Sequence, residues 1–209
     1  MLFATLIATL AFGASPESFP MSKGSYWIYR GNVSWQDDDE IKSRKIEWKM
    51  EVTESISRAD GVVAVLKGHP GDLTWFEPGR DRGNYLLIKI GDSRYYLLQE
   101  SRFDQAYTRV EDPAEPLDSL VRDHELILQL PLKPGSRFGE ADQMNRSDNM
   151  YTWYVESVKR GRYDLTFSTN PDHLFITYVR GTGITSFIYG HHGTVSLVDV
   201  RLAVSHVAK

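Results

Sequence analysis

The chain has 209 residues, a formal net charge of −4 and no cysteine. Without cysteine there is no disulfide, no thiolate metal site, no cysteine nucleophile and no lipidated N-terminal cysteine. The mild negative charge gives no electrostatic pull toward nucleic acid, and the length suffices for one domain with a substantial core.

The chain opens MLFATLIATLAFGAS, in which Leu2 to Phe12 carry no charge and small residues follow, the build of an export signal. The expectation is a signal peptide at 1–13 and a single β-rich domain at 14–209, exported to the periplasm or the extracellular space. The apolar run is shorter than the roughly 20 residues of a membrane-spanning helix, and no later stretch is long enough, so no integral membrane protein is expected.

Phe19 begins the phrase FPMSKGSYW, which returns as LPLKPGSRF from Leu130 to Phe138. Aligned without a gap, the two share proline, glycine and serine, with large apolar residues first, third and last. Proline forbids helix and glycine admits a turn that other residues would strain, so each phrase reads as an entry into a strand. An aromatic strand follows each phrase, with Tyr26, Trp27 and Tyr29 after the first and Tyr151, Trp153 and Tyr154 after the second. The pair suggests two degenerate halves, 19–110 and 130–205, with a merely recurring turn as the alternative.

Next, the acidic run Asp37, Asp38, Asp39, Glu40 reads as a solvated strand connection, since it lacks the spaced ligands of a calcium loop. Ile46, Trp48, Met50 and Val52 then alternate with polar residues, predicting a strand with one dry face. Asp60 and Gly61 turn into VVAVLKG, and Gly91 and Asp92 join NYLLIKI to RYYLLQES, predicting two hairpins. Between them lies GHPGDLTWFEPGRDRG, Gly68 to Gly83, a loop carrying His69, Asp72, Trp75, Glu77 and Arg80. Long loops with acidic, basic and aromatic groups are where binding sites concentrate.

From Pro116 to Gln129, Leu117, Leu120, Val121, Ile127 and Leu128 follow helical spacing, predicting one amphipathic helix near 116–129. Past the second phrase, MYTWYVESV and RYDLTFS flank a turn at Lys159 to Gly161, and HLFITYV, ITSFIYG and TVSLVDVRLAV follow. In the last run the apolar parity switches between Leu197 and Val198, predicting a bulge or bend there. The sum is a mainly β chain of about ten strands in an antiparallel curved sheet, either an open barrel or a sandwich.

Chemical signals are sparse. His191 and His192 are adjacent, so a regular strand would point them to opposite faces. No HExxH or GxSxG pattern occurs, and no catalytic residue, metal or cofactor is predicted. The reading is a non-enzymatic exported β domain that binds an amphiphilic small molecule, a glycan or an envelope partner. Its candidate ligand-binding residues are His69, Asp72, Trp75, Glu77, Arg80, His191 and His192. The alternatives are a metal-dependent or hydrolase-type enzyme using His69, Asp72, His191 or His192, and a purely structural envelope protein.

At FPMSKGSYWIYRG, LPLKPGSRFG and the closing GTGITSFIYGHHGTVSLVDVRL, the chain resembles exported bacterial proteins of unknown function that open their mature region with a proline, a glycine and an aromatic strand. The resemblance implies a β-rich fold and an exported location, and no activity.

Overall fold

A computed structural model describes residues 19–191 and 196–209; the leader at 1–13 and His192 lie outside the described residues. The alternating run at Ile46 to Val52 forms the middle of β2 (Glu40–Arg58), which is the longest strand described. Before it runs β1 (Tyr26–Asp37), joined to β2 through the exposed Asp38 and Asp39. Both predicted hairpins form, giving β3 (Gly61–Lys67), β4 (Asn84–Ile90) and β5 (Arg94–Leu98). There follow the helix α1 (Glu100–Val110) and two short strands, β6 (Leu126–Gln129) and β7 (Arg137–Gly139). The second half continues through β8 (Thr152–Lys159), β9 (Arg162–Ser168), β10 (Asp172–Val179), β11 (Gly183–His191) and β12 (Ser196–His206).

All twelve described strands belong to one antiparallel sheet, in the order β6-β5-β4-β3-β2-β1-β12-β11-β10-β9-β8-β7. The two edge strands, β6 and β7, lie beside each other, so the sheet curls into a nearly closed barrel. The choice between barrel and sandwich is thereby settled as barrel. Curling places one side chain of every two inside. Trp27 faces Met50 across the β1–β2 ladder and Tyr29 faces Trp48, and Trp27, Tyr29 and Met50 are fully buried. Each such side chain contributes about 1.5–3 kcal/mol by leaving water. Their polar atoms find partners inside: the Trp27 indole N–H donates to the Thr182 carbonyl, and the Tyr29 hydroxyl donates to the Ile184 carbonyl at 3.0 Å.

The two related phrases build the same turn. In the first, Ser25 N–H donates to Ser22 O at 3.1 Å, and in the second Ser136 N–H donates to Lys133 O at 3.0 Å. Each turn is then clamped to a valine on the next strand but one in sequence. Gly24 N–H donates to Val52 O and Val52 N–H to Ser25 O, at 2.9 and 2.8 Å; Gly135 N–H donates to Val155 O and Val155 N–H to Ser136 O, at 2.8 and 3.0 Å. Both glycines have left-handed backbones, φ +91° and +78°, which a side chain would strain. One turn opens β1–β6 and the other opens β7–β12.

The sequence places the helix wrongly. Residues 116–129 form 3-10 turns at Leu117–Ser119 and Asp123–Glu125, then strand β6. The apolar spacing at Leu117, Leu120 and Val121 is that of a 3-10 turn filling a hollow; Leu117 and Leu120 are fully buried. Leu126 and Leu128 are buried on alternate positions, which is strand periodicity. The helix that does form, α1, buries only Ala106 and Val110, so its stripe is faint in the sequence. It covers the outer face of the first half of the sheet. There Val63 to Leu66 and Tyr85 to Ile88 are buried without alternation, as strands covered on both faces must be. Tyr107 of α1 donates to Glu54 Oε2 at 2.9 Å, and Arg58 donates to the carbonyls of Val110 and Asp112 at 2.8 and 3.1 Å.

The predicted slip at Leu197 to Val198 is also corrected. Pairing with β1 and β11 runs through both residues without a shift; Leu197 is exposed on the outside and Val198 is buried. The irregularity of β12 lies six residues on, where Ile28 pairs with Val204 and Tyr29 with Leu202, leaving Ala203 as the extra residue.

Candidate functional site

The barrel interior is not filled. A cavity of about 790 Å³ lies within it, walled by Leu97 of β5, Leu128 of β6, Trp153 of β8, Leu165 and Phe167 of β9 and Phe187 of β11. At one end Phe19, ahead of β1, closes it. That ring is 5 % exposed and sits 5.5 Å from Trp27 and 6.2 Å from Tyr178 between centroids. A Cβ on Gly183 would stand 3.2 Å from Phe19, so glycine lets the ring seat there.

The loop from Gly68 to Gly83 sits at the other end. Its stem is fixed by Gly68 N–H donating to Gly83 O at 2.9 Å and by the Trp48 indole donating to Gly68 O at 2.8 Å. Its outer part leans on the β1–β2 hairpin, with Phe76 packed edge-on against Trp35 at 5.3 Å and Arg44 over the Phe76 ring at 5.5 Å. Asp72 holds it from within. That carboxylate is 3 % exposed and accepts from Gly83 N–H at 3.1 Å and from the Tyr85 hydroxyl. Burial raises the Asp72 pKa, and these donors work against the rise.

His69 is carried into the lumen by the same loop, between Tyr85 of β4 at 5.4 Å and Phe187 of β11 at 6.0 Å. Its Nδ1 accepts from Gly71 N–H at 3.0 Å, capping the 3-10 turn Pro70–Leu73. An Nδ1 that accepts carries no proton, so in the neutral ring the proton sits on Nε2. Burial holds the ring neutral by lowering its pKa to about 4. The Nε2 atom is buried and has no hydrogen-bond partner among the described residues.

A second cluster stands at the mouth. Trp75 is 49 % exposed, has a left-handed φ of +56°, and donates its backbone N–H to Ser196 Oγ at 3.1 Å. Its ring meets His191 at 4.6 Å and Tyr189 at 6.4 Å. Asp172, opposite His191 in the β10–β11 ladder, accepts from the Tyr189 hydroxyl and pairs with His191 Nδ1, both at 2.8 Å. Burial disfavours the Asp172 carboxylate, but the bonds from His191 and Tyr189 outweigh it and lower the pKa. Arg80 pairs with Glu100 at 3.3 Å, and Arg102 pairs with the buried Glu125, which also accepts from Arg122 N–H at 2.8 Å.

Of the residues singled out in the sequence, His69, Trp75 and Arg80 line the cavity, and His191 joins them at the mouth through Trp75 and Asp172. Asp72 stands behind the wall as the clamp of the loop. Glu77 is exposed and does not line the cavity, and His192 lies outside the described residues. His69, Asp72 and His191 each face different partners, and among the described residues no three His, Asp or Glu side chains are grouped to hold a metal. Asp172, Tyr189 and the Arg102–Glu125 pair escape a sequence reading, because their partners come from neighbouring strands or from α1.

No protein-family model matches the chain, and no curated protein matches it. Among solved structures it is similar to a candidate exported protein with a YMCC-like fold from Bacteroides fragilis, at 11 % identity and a TM-score of 0.41, covering 90 % of this chain and 98 % of that one. Among the described residues no helix is long and apolar enough to cross a membrane.

Proposed function

We propose that this chain is an exported, non-enzymatic β-barrel domain that holds an amphiphilic small molecule in its lumen. The observation that carries the reading is the cavity of about 790 Å³, with an apolar wall and its polar groups gathered at one end. Ligand sites are of this size and make-up, mostly apolar with a few placed polar groups. The export assignment rests on the charge-free leader. The candidate ligand contacts are His69 within, and Trp75, Arg80 and His191 at the mouth. We also take 19–110 and 130–205 as degenerate halves of the one domain, the first now carried on through β6 (Leu126–Gln129), on the strength of the matching turns.

The test is equilibrium binding of the neutral dye phenylnaphthylamine to the purified full chain, followed by energy transfer from tryptophan. Saturable binding at one dye per chain is expected, weakened in Leu174→Trp, which adds an indole to the cavity wall. Absence of saturable binding by the native chain would overturn the reading.

A further inference from the structure

We infer that the amphiphile is an acylated one, whose ester or amide carbonyl accepts a hydrogen bond from His69 Nε2–H while its chain fills the barrel. The inference rests on the reading of the lumen as a ligand site, and goes beyond it by naming the linkage the site selects. Three observations carry it.

The first is the orphan donor. His69 is 7 % exposed, lines the cavity, and has its tautomer fixed by the bond from Gly71 N–H to Nδ1, so Nε2 presents a proton and not a lone pair. Buried donors are almost always satisfied, and one without a protein partner beside a cavity calls for an acceptor from the occupant. An alkyl chain or an amine head does not answer it.

The second is the company that His69 keeps. Its ring lies against Tyr85 and Phe187, and burial keeps it neutral. A carboxylate placed here would be a buried charge with no countercharge, which is far more costly than a buried neutral carbonyl. Of the three arginines that line the cavity, Arg80 and Arg102 are already engaged by Glu100 and Glu125, and Arg122 stands with Glu125 at the polar end, so among the described residues His69 has only the Tyr85 and Phe187 rings beside it. A neutral acceptor is therefore favoured over a free fatty acid.

The third is the order of surfaces along the cavity. Beyond His69 the wall is hydrocarbon and aromatic, from Leu165, Phe167 and Ile176 to the closing Phe19. On its other side stand Arg80, Glu100, Asp172 and the half-exposed Trp75. A chain, then a carbonyl, then a polar head matches that order.

The experiment measures displacement of phenylnaphthylamine from the full chain by monolauroylglycerol, by its ether analogue monododecylglycerol and by laurate. The native protein is expected to bind the ester about tenfold more tightly than the ether, the worth of one hydrogen bond to a buried donor, and to bind laurate more weakly than the ester at neutral pH. His69→Asn keeps an acceptor for Gly71 N–H but withdraws the Nε2 donor, and is expected to bind both glycerols equally. His69→Gln carries an amide donor to the Nε2 position, and is expected to restore part of the preference. Equal binding of ester and ether by the native chain would overturn the inference and leave the amphiphile reading standing, and binding of neither, with no dye uptake, would overturn both. If a variant fails to fold, the ester-to-ether ratio of the native chain decides alone.

Discussion

His69 also makes the fold sensitive to acid, with a sign and size that follow from its burial. The folded pKa is about 4 against an ordinary 6.5, so above 6.5 the ring is neutral in both states and makes no difference to stability. Below 6.5 the unfolded imidazole takes a proton that the folded one refuses, which favours unfolding by about 1.4 kcal/mol per pH unit. Stability is thus intact above 6.5 and lost as pH falls toward the folded value, by about 3 kcal/mol in all. Asp72 acts in the opposite direction, because its raised pKa makes the folded state bind protons more strongly and costs stability as pH rises from the ordinary carboxylate range. Comparing the native chain with His69→Asn cancels Asp72 and every other common group. In urea titrations, the native chain is expected to lose about 3 kcal/mol relative to the variant between neutral pH and about pH 4. A difference that stays flat within about 0.5 kcal/mol would show that His69 is solvated or charged in the folded state, and would rule out a buried neutral ring at that position.

Arg58→Ala is expected to cost about 3 kcal/mol in urea unfolding, since its side chain, 8 % exposed, ties down the end of α1 and the residues after it with bonds to the carbonyls of Val110, Asp112 and Pro113 at 2.8, 3.1 and 3.3 Å. A loss below about 1 kcal/mol would remove it as the anchor of the helix. Gly31→Ala is expected to prevent folding, because a Cβ there would stand 1.9 Å from the Asp199 carbonyl oxygen; soluble expression with native circular dichroism would contradict the approach of β1 to β12. Trp75→Gly relieves a left-handed backbone worth about 1 kcal/mol while surrendering the ring contacts to His191 and Tyr189, so thermal stability should be nearly unchanged and dye affinity several-fold weaker. Unaltered dye binding would remove Trp75 from the mouth of the site. Gly24→Ala and Gly135→Ala should cost the same, about 1 kcal/mol each, since both strain a positive φ and neither meets an atom closer than 3.8 Å; costs that differ by more than that would set the two turns apart.

The β character was legible because one wet and one dry face leave a period of two, as at Ile46 to Val52, and because hairpin turns carry glycine at fixed places. The twelve described strands exceed the expected ten by β6 and β7, strands of four and three residues at the sheet's edges. So short a strand leaves no pattern of its own. α1 was illegible for a related reason: it lies over a sheet already apolar on that side, and needs only Ala106 and Val110 buried to stay there. The loop at Gly68 to Gly83 stood out by composition, and His69 and Trp75 on it do reach the cavity. Composition could not say that Asp72 turns inward to Gly83 and Tyr85, since that depends on the stem bond between Gly68 and Gly83. Asp172 gave no signal, because its partners Tyr189 and His191 become neighbours only through the β10–β11 register.

On the proposal that β1–β6 and β7–β12 are degenerate halves, the position of the candidate site follows from how they differ. Their opening turns match bond for bond, and Phe19 of the first seals the barrel beside Trp27 and Tyr178. At the opposite end the halves diverge. The third and fourth strands of the first half are joined by the long loop that carries His69 and Trp75, whereas those of the second half, β9 and β10, are joined by Thr169 to Pro171 alone. Those two connections meet at the mouth: Trp75 lies against His191, and His191 is held by Asp172, the first residue of β10. The short turn Thr169 to Pro171 leaves the opening, and the long loop leans across it and brings His69, whose Nε2 has no partner among the described residues, to the cavity wall. On the proposed reading, binding in this barrel comes from the unequal connections of the two stretches, while the closed end belongs to Phe19 of the first opening turn.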